Sequence, residues 1–561
     1  MSHSISEVFE AVAAVVPDRE CVVFRERRRT YAQIRDRARE LASVLIDSGL
    51  AVKRERQALQ RWESGQAHVG LLMFNGTEYL ESSLGCFMAR AVPFNINYRY
   101  VEHEILYLLN DAGADALVYQ ATFAPVVERV LPQLAKPVRL LLQVADGSDN
   151  GLLSGAVDYE SALSSGSAAC VSATDGDDLY MLYTGGTTGM PKGTLWRQGD
   201  LYDAVFAAMA RRLRVDLTSI EEIQAGVQSS TPEVTMSVAP FMHGAAHWRA
   251  LGAILAGGTV VLPSEVTKLD VHDVWQTVER ESVAVMLVVG DAFLRPLCEA
   301  LEASDYSAPS LRWIVTGGAA ASPAIKDRLL ARLPRTRIVD GGGASETGPQ
   351  MLNVSAAGSP ATSGIFEPQP NACVVSSDKS VILTPGHAGD GWLAQSGPIP
   401  LGYLNDQAKT EATFPIIAGM RMAVPGDRAR VRGDGLIELL GRESMTINSG
   451  GEKIFAEEVE EALKRCSGVR DVLVVGRPSD QWGQEVVAIV DLVDGNITDD
   501  EIIASTSEHL ARYKRPKEIV RVEQVERSPS GKGNYAWARD IALVAQTNAP
   551  DICFPSVRPG L

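Results

Sequence analysis

The chain has 561 residues, 45% of them hydrophobic and 22% charged, with a net charge of −17. That is the composition of a globular protein with ample core material, and its acidity argues against general nucleic-acid binding while leaving room for a local phosphate pocket. Seven scattered cysteines without a CxxC pair offer neither a zinc site nor a disulfide framework. The acidic N-terminus, with its short AVAAVV run, fits neither a signal peptide nor a membrane span, so a cytoplasmic protein is expected. At the usual domain size the length allows about three structural units.

In chain order, VGLLMF (69–74) reads as a strand, the amphipathic YLESSLGCFMAR as a helix, and AVPFNIN as a second strand. ALVYQ, VRLLLQV, VTMSVAP, TVVLP, VAVMLVVG and LRWIVTGG are further strands, most ending at Gly, Pro or a polar turn. Strands alternating with helices imply βαβ units, mostly parallel sheets, and ligand loops at the carboxyl ends of the strands. Segments 145–176 and 356–371 read as loops from their Ser, Gly, Asp, Ala and Pro content. Beyond residue 441 the pattern changes to a smaller α+β unit. FAEEVEEALKRC is an amphipathic helix, VLVVG and EVVAIVDLV are strands, and EIIASTSEHLAR is a second helix. The expected division is a large α/β domain over 1–441, a hinge at 442–446, and a small mobile domain over 447–561.

YTGGTTGMPKGT (183–194) follows the strand-like run LYMLYT. Glycines permit close approach of backbone N–H groups to an anion, Thr187 and Thr188 add hydroxyls, and Lys192 adds charge. The spacing is not that of a Walker A loop. The stretch resembles the signature loop of the adenylate-forming enzymes, which include acyl-CoA synthetases, adenylation domains of peptide synthetases, and luciferases. PFMHGAAHW (240–248), GGGASETG (341–348), GYLNDQAKTEATF, PGDRARV, GLIELLGRESMTINSGGEKIFAEEVE and SPSGKGNY complete that family's series in order. Among its branches, the chain looks most like bacterial ligases of steroid side-chain acids and bulky fatty acids.

The resemblance implies a set of roles. Thr184, Gly185, Gly186, Thr187, Thr188, Gly189 and Lys192 hold the β- and γ-phosphates of ATP. Glu346, helped by Thr188, binds Mg2+, a hard cation that prefers oxygen ligands shared with phosphates. Gly317, Gly318, Ala319, Gly343, Ala344 and Ser345 line the nucleotide, Asp427 receives the ribose hydroxyls, and Arg442 lies near ribose and α-phosphate. Lys532 is the catalytic lysine of the small domain, acting with Thr188 and Glu346. His243, Gly244, Gly290 and Gly343 line the acyl pocket. Gly450 and Gly451 line the channel for coenzyme A, and the hinge falls at Ser444. Of the basic residues Arg512, Lys514, Arg515 and Lys517, a solvated surface is the first expectation and contact with CoA phosphates the second. The implied reaction joins a hydrophobic acid to CoA at the expense of ATP, giving AMP and diphosphate. Its alternatives are acyl transfer to a carrier-protein arm, or a catalytically silent nucleotide- or lipid-binding protein. The partners implied are small molecules, without nucleic acid or membrane span, and a homodimer is compatible with them.

Three departures from the family pattern stand out. Gly185 replaces a hydroxyl-bearing residue. Gly342 stands where an aromatic ring usually stacks on adenine, which makes GGAAASP (317–323) the candidate for holding it. Ser444 and Met445 replace a charged hinge pair.

Overall fold

The computed structural model describes residues 3–169, 173–186, 189–207, 219–319, 321–442, 445–449, 452–479, 483–493, 497–507, 510, 512–528 and 531–547. Two β-sheets with parallel cores carry the large part of the chain. One has five strands, in the order Val92–Asn95, His68–Leu72, Ala116–Gln120, Leu140–Val144 and Val157–Asp158, all parallel. The other has thirteen, with a parallel centre of Glu20–Phe24, Thr259–Leu262, Val234–Ser237, Val285–Val288, Trp313–Gly317 and Arg337–Ala344. Beyond Arg337–Ala344 that sheet continues antiparallel through Gly348–Ala356 and Ile365–Pro368 to the strands Asp427–Val431 and Ile437–Arg442.

Parallel strands covered on both faces read as unbroken apolar runs, and His68–Leu72, Ala116–Gln120 and Val285–Val288 are buried at every position. The helices between them show one apolar stripe, as in Val271–Arg280, whose Val274, Trp275 and Val278 are buried. Caps start several of them. Thr30 and Gln33 bond reciprocally at the start of Tyr31–Asp47, as do Ser219 and Glu222 at Ile220–Ser229. The main core joins residues of both sheets, among them Val69, Leu71, Val22 and Val260, through the helices Ile5–Val15, Tyr31–Asp47, Thr77–Met88 and Gly244–Leu255. Helix Thr77–Met88 is buried on all sides. Its Glu81 is compensated by Arg37, at 2.7 Å.

A separate five-stranded sheet starts at Thr446–Ser449, with Glu452–Phe455, Val469–Ser479, Gly483–Leu492 and Glu518–Val522. Helices Ala456–Lys464 and Tyr535–Thr547 contribute to its two cores. Among the described residues, no helix is long and apolar enough to cross a membrane.

Several sequence expectations need correcting. The helix read as amphipathic over YLESSLGCFMAR is buried at every position of Thr77–Met88. Segment 145–176 is not all loop. Val157–Asp158 adds an edge strand by pairing with Leu142 and Gln143, and Asp158 caps the helix Tyr159–Ser165 through the Ser161 amide at 2.9 Å. Both elements are too short to display a period. Segment 356–371 likewise contains the strand Ile365–Pro368, formed by neighbours far away in sequence at 351–352 and 437–438. The helix expected over EIIASTSEHLAR is displaced toward the N-terminus and ends early, at Asp499–Ser505. There the hydroxyls of Ser505, Thr506 and Ser507 turn back onto the carbonyls of Ile502, Ile503 and Ala504, competing with continuation of the helix.

Candidate active site

The glycine-rich stretch that follows LYMLYT is the end of a β-hairpin. Leu179–Gly186 and Gly189–Arg197 pair antiparallel, with Thr184 opposite Lys192 and Gly186 opposite Gly189. Thr187 and Thr188 lie outside the described residues. A third strand, Gly402–Tyr403, pairs with Thr194 and Leu195, and this small sheet organises what surrounds it. The Lys192 ammonium pairs with the Asp406 carboxylate, which also caps the helix Gln407–Thr413 through the Lys409 amide at 2.9 Å. Tyr403 donates its phenol proton to Glu346 Oε1 at 2.7 Å, and Trp196 Nε1 donates to the Ser345 carbonyl at 2.8 Å. The Ala344 amide donates to Thr347 Oγ1 at 2.9 Å. The carboxylate of Glu346 and the turn that bears it are therefore fixed by the same three strands that carry the glycines.

Two buried asparagines, which sequence reasoning missed, hold the segment before His243, and one of them, Asn95, joins it to this hairpin. Asn95 accepts from the Tyr183 amide at 2.8 Å and donates to the carbonyls of Tyr183 and Met242 at 2.8 and 2.7 Å. Asn75 accepts from the Phe241 amide at 2.6 Å and donates to the Ala239 carbonyl at 3.0 Å. Both follow or end strands of the five-stranded sheet. The only sequence signal is an amide residue where an apolar run stops.

His243 precedes the helix Gly244–Leu255. Burial, then the nearby positive charges of Lys532 and Arg99, lower its pKa to about 4, so the imidazole is neutral at pH 7. Its Nε2 is buried without a hydrogen-bond partner. A Cβ placed on Gly244 meets Leu182 Cδ2 at 2.5 Å. His247 and Trp248, later on the same helix, are buried. His247 stacks on Tyr180 and shares a 2.9 Å hydrogen bond with its hydroxyl.

The remaining glycines converge at the carboxyl ends of three adjacent parallel strands, the position where open α/β sheets bind ligands. Gly290, at a φ of +47°, donates its N–H to Thr316 Oγ1 at 2.7 Å. Gly318 has a φ of +81°, and a Cβ on Gly317 would stand 2.8 Å from the Gly341 carbonyl oxygen. At Gly343 the Cβ would lie 2.2 Å from the Gly348 carbonyl oxygen, a clash against backbone that cannot turn aside as a flexible side chain could. At Gly342 it would strike the Met351 side chain at 2.5 Å. Met351 thus fills the space beside the position where the family usually carries an aromatic ring. Gly343→Ala is expected to cost about 1–3 kcal/mol of stability from forced backbone movement, read as a lowered unfolding midpoint; an unchanged midpoint contradicts this packing.

The small sheet's unit reaches the same place. A Cβ on Gly531 would be 3.0 Å from Val289 Cγ1 and 3.6 Å from the Ala319 Cβ. The neighbouring Lys532 is close enough to depress the titration of His243. Asp427 pairs with Arg442 across two antiparallel strands. Gly185 lies within the first hairpin strand, and Ser444, Gly450 and Gly451 lie outside the described residues. In the basic cluster, Lys514 Nζ is held by both oxygens of Glu458 at 2.6 and 2.7 Å, and Arg515 by backbone carbonyls of Leu510 and Ser507.

Residues 9–404 match the AMP-binding enzyme family, and residues 458–532 match the AMP-binding enzyme C-terminal domain. The chain belongs to the AMP-binding enzyme family, in its acyl-CoA synthetase branch. This synthetase is 51% identical over 544 residues to a medium-chain acyl-CoA ligase of Mycobacterium avium, covering 97% of this chain and 98% of the relative. It is 36% identical over 550 residues to a 3-oxocholest-4-en-26-oate–CoA ligase of Rhodococcus rhodochrous, with 96% of each chain covered. Its fold matches that of the anthranilate CoA ligase AuaEII in complex with anthranoyl-AMP, with a TM-score of 0.79 at 20% identity and 98% of each chain covered. ATP-bound MatB from Rhodopseudomonas palustris gives a TM-score of 0.78 at 20% identity, covering 96% of the synthetase and 99% of that chain.

Proposed function

We propose that this synthetase is an ATP-dependent acid–CoA ligase that activates a hydrophobic carboxylic acid as its acyl-adenylate and passes the acyl group to CoA. The observation that carries the reading is the meeting of three groups at one sheet end: the glycine hairpin, the Tyr403-held Glu346, and the Gly531–Lys532 loop beside His243. The named activities of the 51% and 36% identical relatives support the choice of aliphatic and steroid side-chain acids.

A carboxylate is a poor acyl donor because oxide is a poor leaving group. Its oxygen therefore attacks the α-phosphorus of ATP and diphosphate departs. The CoA thiol then attacks the acyl carbon and AMP leaves. The chain's part in such substitutions is positioning and charge neutralisation. The site suits a nucleotide. Its floor is cleared of side chains at Gly317 and Gly343, a lysine stands on the glycine hairpin, and a half-buried carboxylate is oriented by Tyr403. Lys192 and the hairpin glycines hold the β- and γ-phosphates. Asp427 and Arg442 meet the ribose, and the 317–319 turn borders the adenine. Mg2+, held by Glu346 and Thr188, would supply charge neutralisation for the departing diphosphate. Neutral His243 offers Nε2 to the acid's binding site. Lys532 neutralises charge developing between the acid carboxylate and α-phosphate, with a mobile ammonium that imposes no fork geometry.

CoA needs room where Lys532 stands. The small domain, 447–561, therefore turns about 442–446 between the half-reactions, bringing Gly450 and Gly451 to the thiol channel. The test incubates the protein with ATP, Mg2+ and a panel of medium-chain, long-chain and steroid side-chain acids, with and without CoA. The expected result is acyl-CoA and AMP turnover that requires CoA. Steady AMP release independent of CoA, or no diphosphate with any acid, contradicts the reading.

A further inference from the structure

Lys532 sits in a short surface turn, so something must hold that turn steady while the ammonium meets a phosphate. Among the described residues, backbone bonds tie the turn, including an antiparallel bridge between Arg527 and Gly533. The Ser528 amide donates to the Lys532 carbonyl at 2.7 Å, and the Gly531 amide donates to the Ser528 carbonyl at 2.8 Å. Beneath them lies Arg527, outside every motif quoted above. Its Nε and Nη2 fork onto the two oxygens of Asp471 at 2.5 and 2.6 Å. The other arm, Nη1, donates to the Gly531 carbonyl at 3.1 Å, one residue before Lys532. The guanidinium is largely buried and its charge is held firmly, because Asp471, Glu460 and Tyr535 outweigh the cost of burial.

Asp471 stands two residues before Leu473 on the strand Val469–Ser479, so both face the same side of the sheet. Leu473 presses on the turn as well, since a Cβ on Gly533 would lie 2.3 Å from Leu473 Cδ2. One strand thus supplies a carboxylate that anchors the arginine and a methyl group that packs the far side of the turn. A planar fork satisfies a carboxylate with two parallel N–H groups and offers a third, fixed in direction, to a carbonyl, a geometry that the compact ammonium of a lysine does not reproduce.

We infer that Arg527, locked by Asp471 and bonded to the Gly531 carbonyl, is a positioning residue that sets the reach of Lys532 for adenylation. The inference rests on the ligase reading and sharpens it. Lys532 serves only the first half-reaction, whereas the small domain as a body serves both. A positioning role therefore predicts a loss confined to adenylation, and a merely structural role predicts loss in both steps.

The test compares wild type, Arg527→Met, Arg527→Lys and the double variant Arg527→Met with Asp471→Asn, which also removes the carboxylate charge that Arg527 pairs with. Acid-dependent exchange of labelled diphosphate into ATP measures adenylation, and acyl-CoA formed from supplied acyl-adenylate measures transfer. Arg527→Met and the double variant are expected to lose roughly 100-fold in adenylation kcat, the scale of a displacement near 1 Å. Their KM for ATP and their transfer rate should stay within about threefold of wild type on the same argument. Arg527→Lys should recover part of the loss. Equal loss in both steps, or undiminished adenylation in the soluble double variant, overturns the inference. A wild type without diphosphate exchange would instead overturn the ligase reading itself.

Discussion

Lys532→Ala is expected to lower acid-dependent diphosphate exchange by about 10²–10³-fold, the usual consequence of removing one charge-stabilising donor from a reacting centre. Acyl transfer from supplied adenylate to CoA should be nearly unaffected. The reason is the position of the lysine. Its neighbour Gly531 packs on Val289 and Ala319 at the strand ends, and the ammonium is felt by His243. On the proposed reading, the ammonium neutralises charge that develops as the acid's oxygen bonds to the α-phosphorus. Once the adenylate exists, that charge has no further bond to help break. Parallel assays of the two half-reactions check this, and a comparable loss in both would mean that the two steps share one arrangement of the domains.

The second large effect concerns Glu346. Glu346→Gln keeps the volume and an acceptor for Tyr403 but removes the charge. Adenylation should fall by about 10²–10³-fold, with a higher Mg2+ concentration needed for half-maximal rate. Tyr403→Phe keeps the ring and removes the hydroxyl that donates to Glu346 at 2.7 Å. It should cost about tenfold, the value of one hydrogen bond to a charged group. Titrating Mg2+ at saturating ATP separates the two variants. An unchanged Mg2+ dependence in Glu346→Gln would remove the carboxylate from the metal's site.

Much of the architecture is legible along the chain because parallel strands buried on both faces announce themselves as apolar runs. VGLLMF, ALVYQ, VAVMLVVG and LRWIVTGG all contain strands of the two sheets. What the chain conceals is pairing at long range. The strand at Val157–Asp158 exists because Leu142 and Gln143 offer it an edge. The hairpin beneath the glycines exists because Met181 faces Leu195 and Thr184 faces Lys192. Motif spacing singled out Glu346 and Lys532, yet not the groups that hold them. Tyr403 is 57 residues from Glu346, and Asp471 is 56 residues from Arg527. Asn95 serves carbonyls 88 and 147 residues away. A side chain whose partner is chosen by the fold leaves no local pattern. Gly342 is an intermediate case: the missing ring is plain in the sequence, but only the packing shows Met351 in the adjoining space.

In the proposed reaction the acid's own carboxylate oxygen becomes bonded to the α-phosphorus of ATP. Running the complete reaction with an acid labelled with oxygen-18 in both carboxylate oxygens, then analysing AMP and diphosphate by mass spectrometry, follows that oxygen. One labelled oxygen is expected in each AMP released and none in diphosphate. Label in diphosphate or orthophosphate, or AMP formed without label, would contradict the proposed reaction.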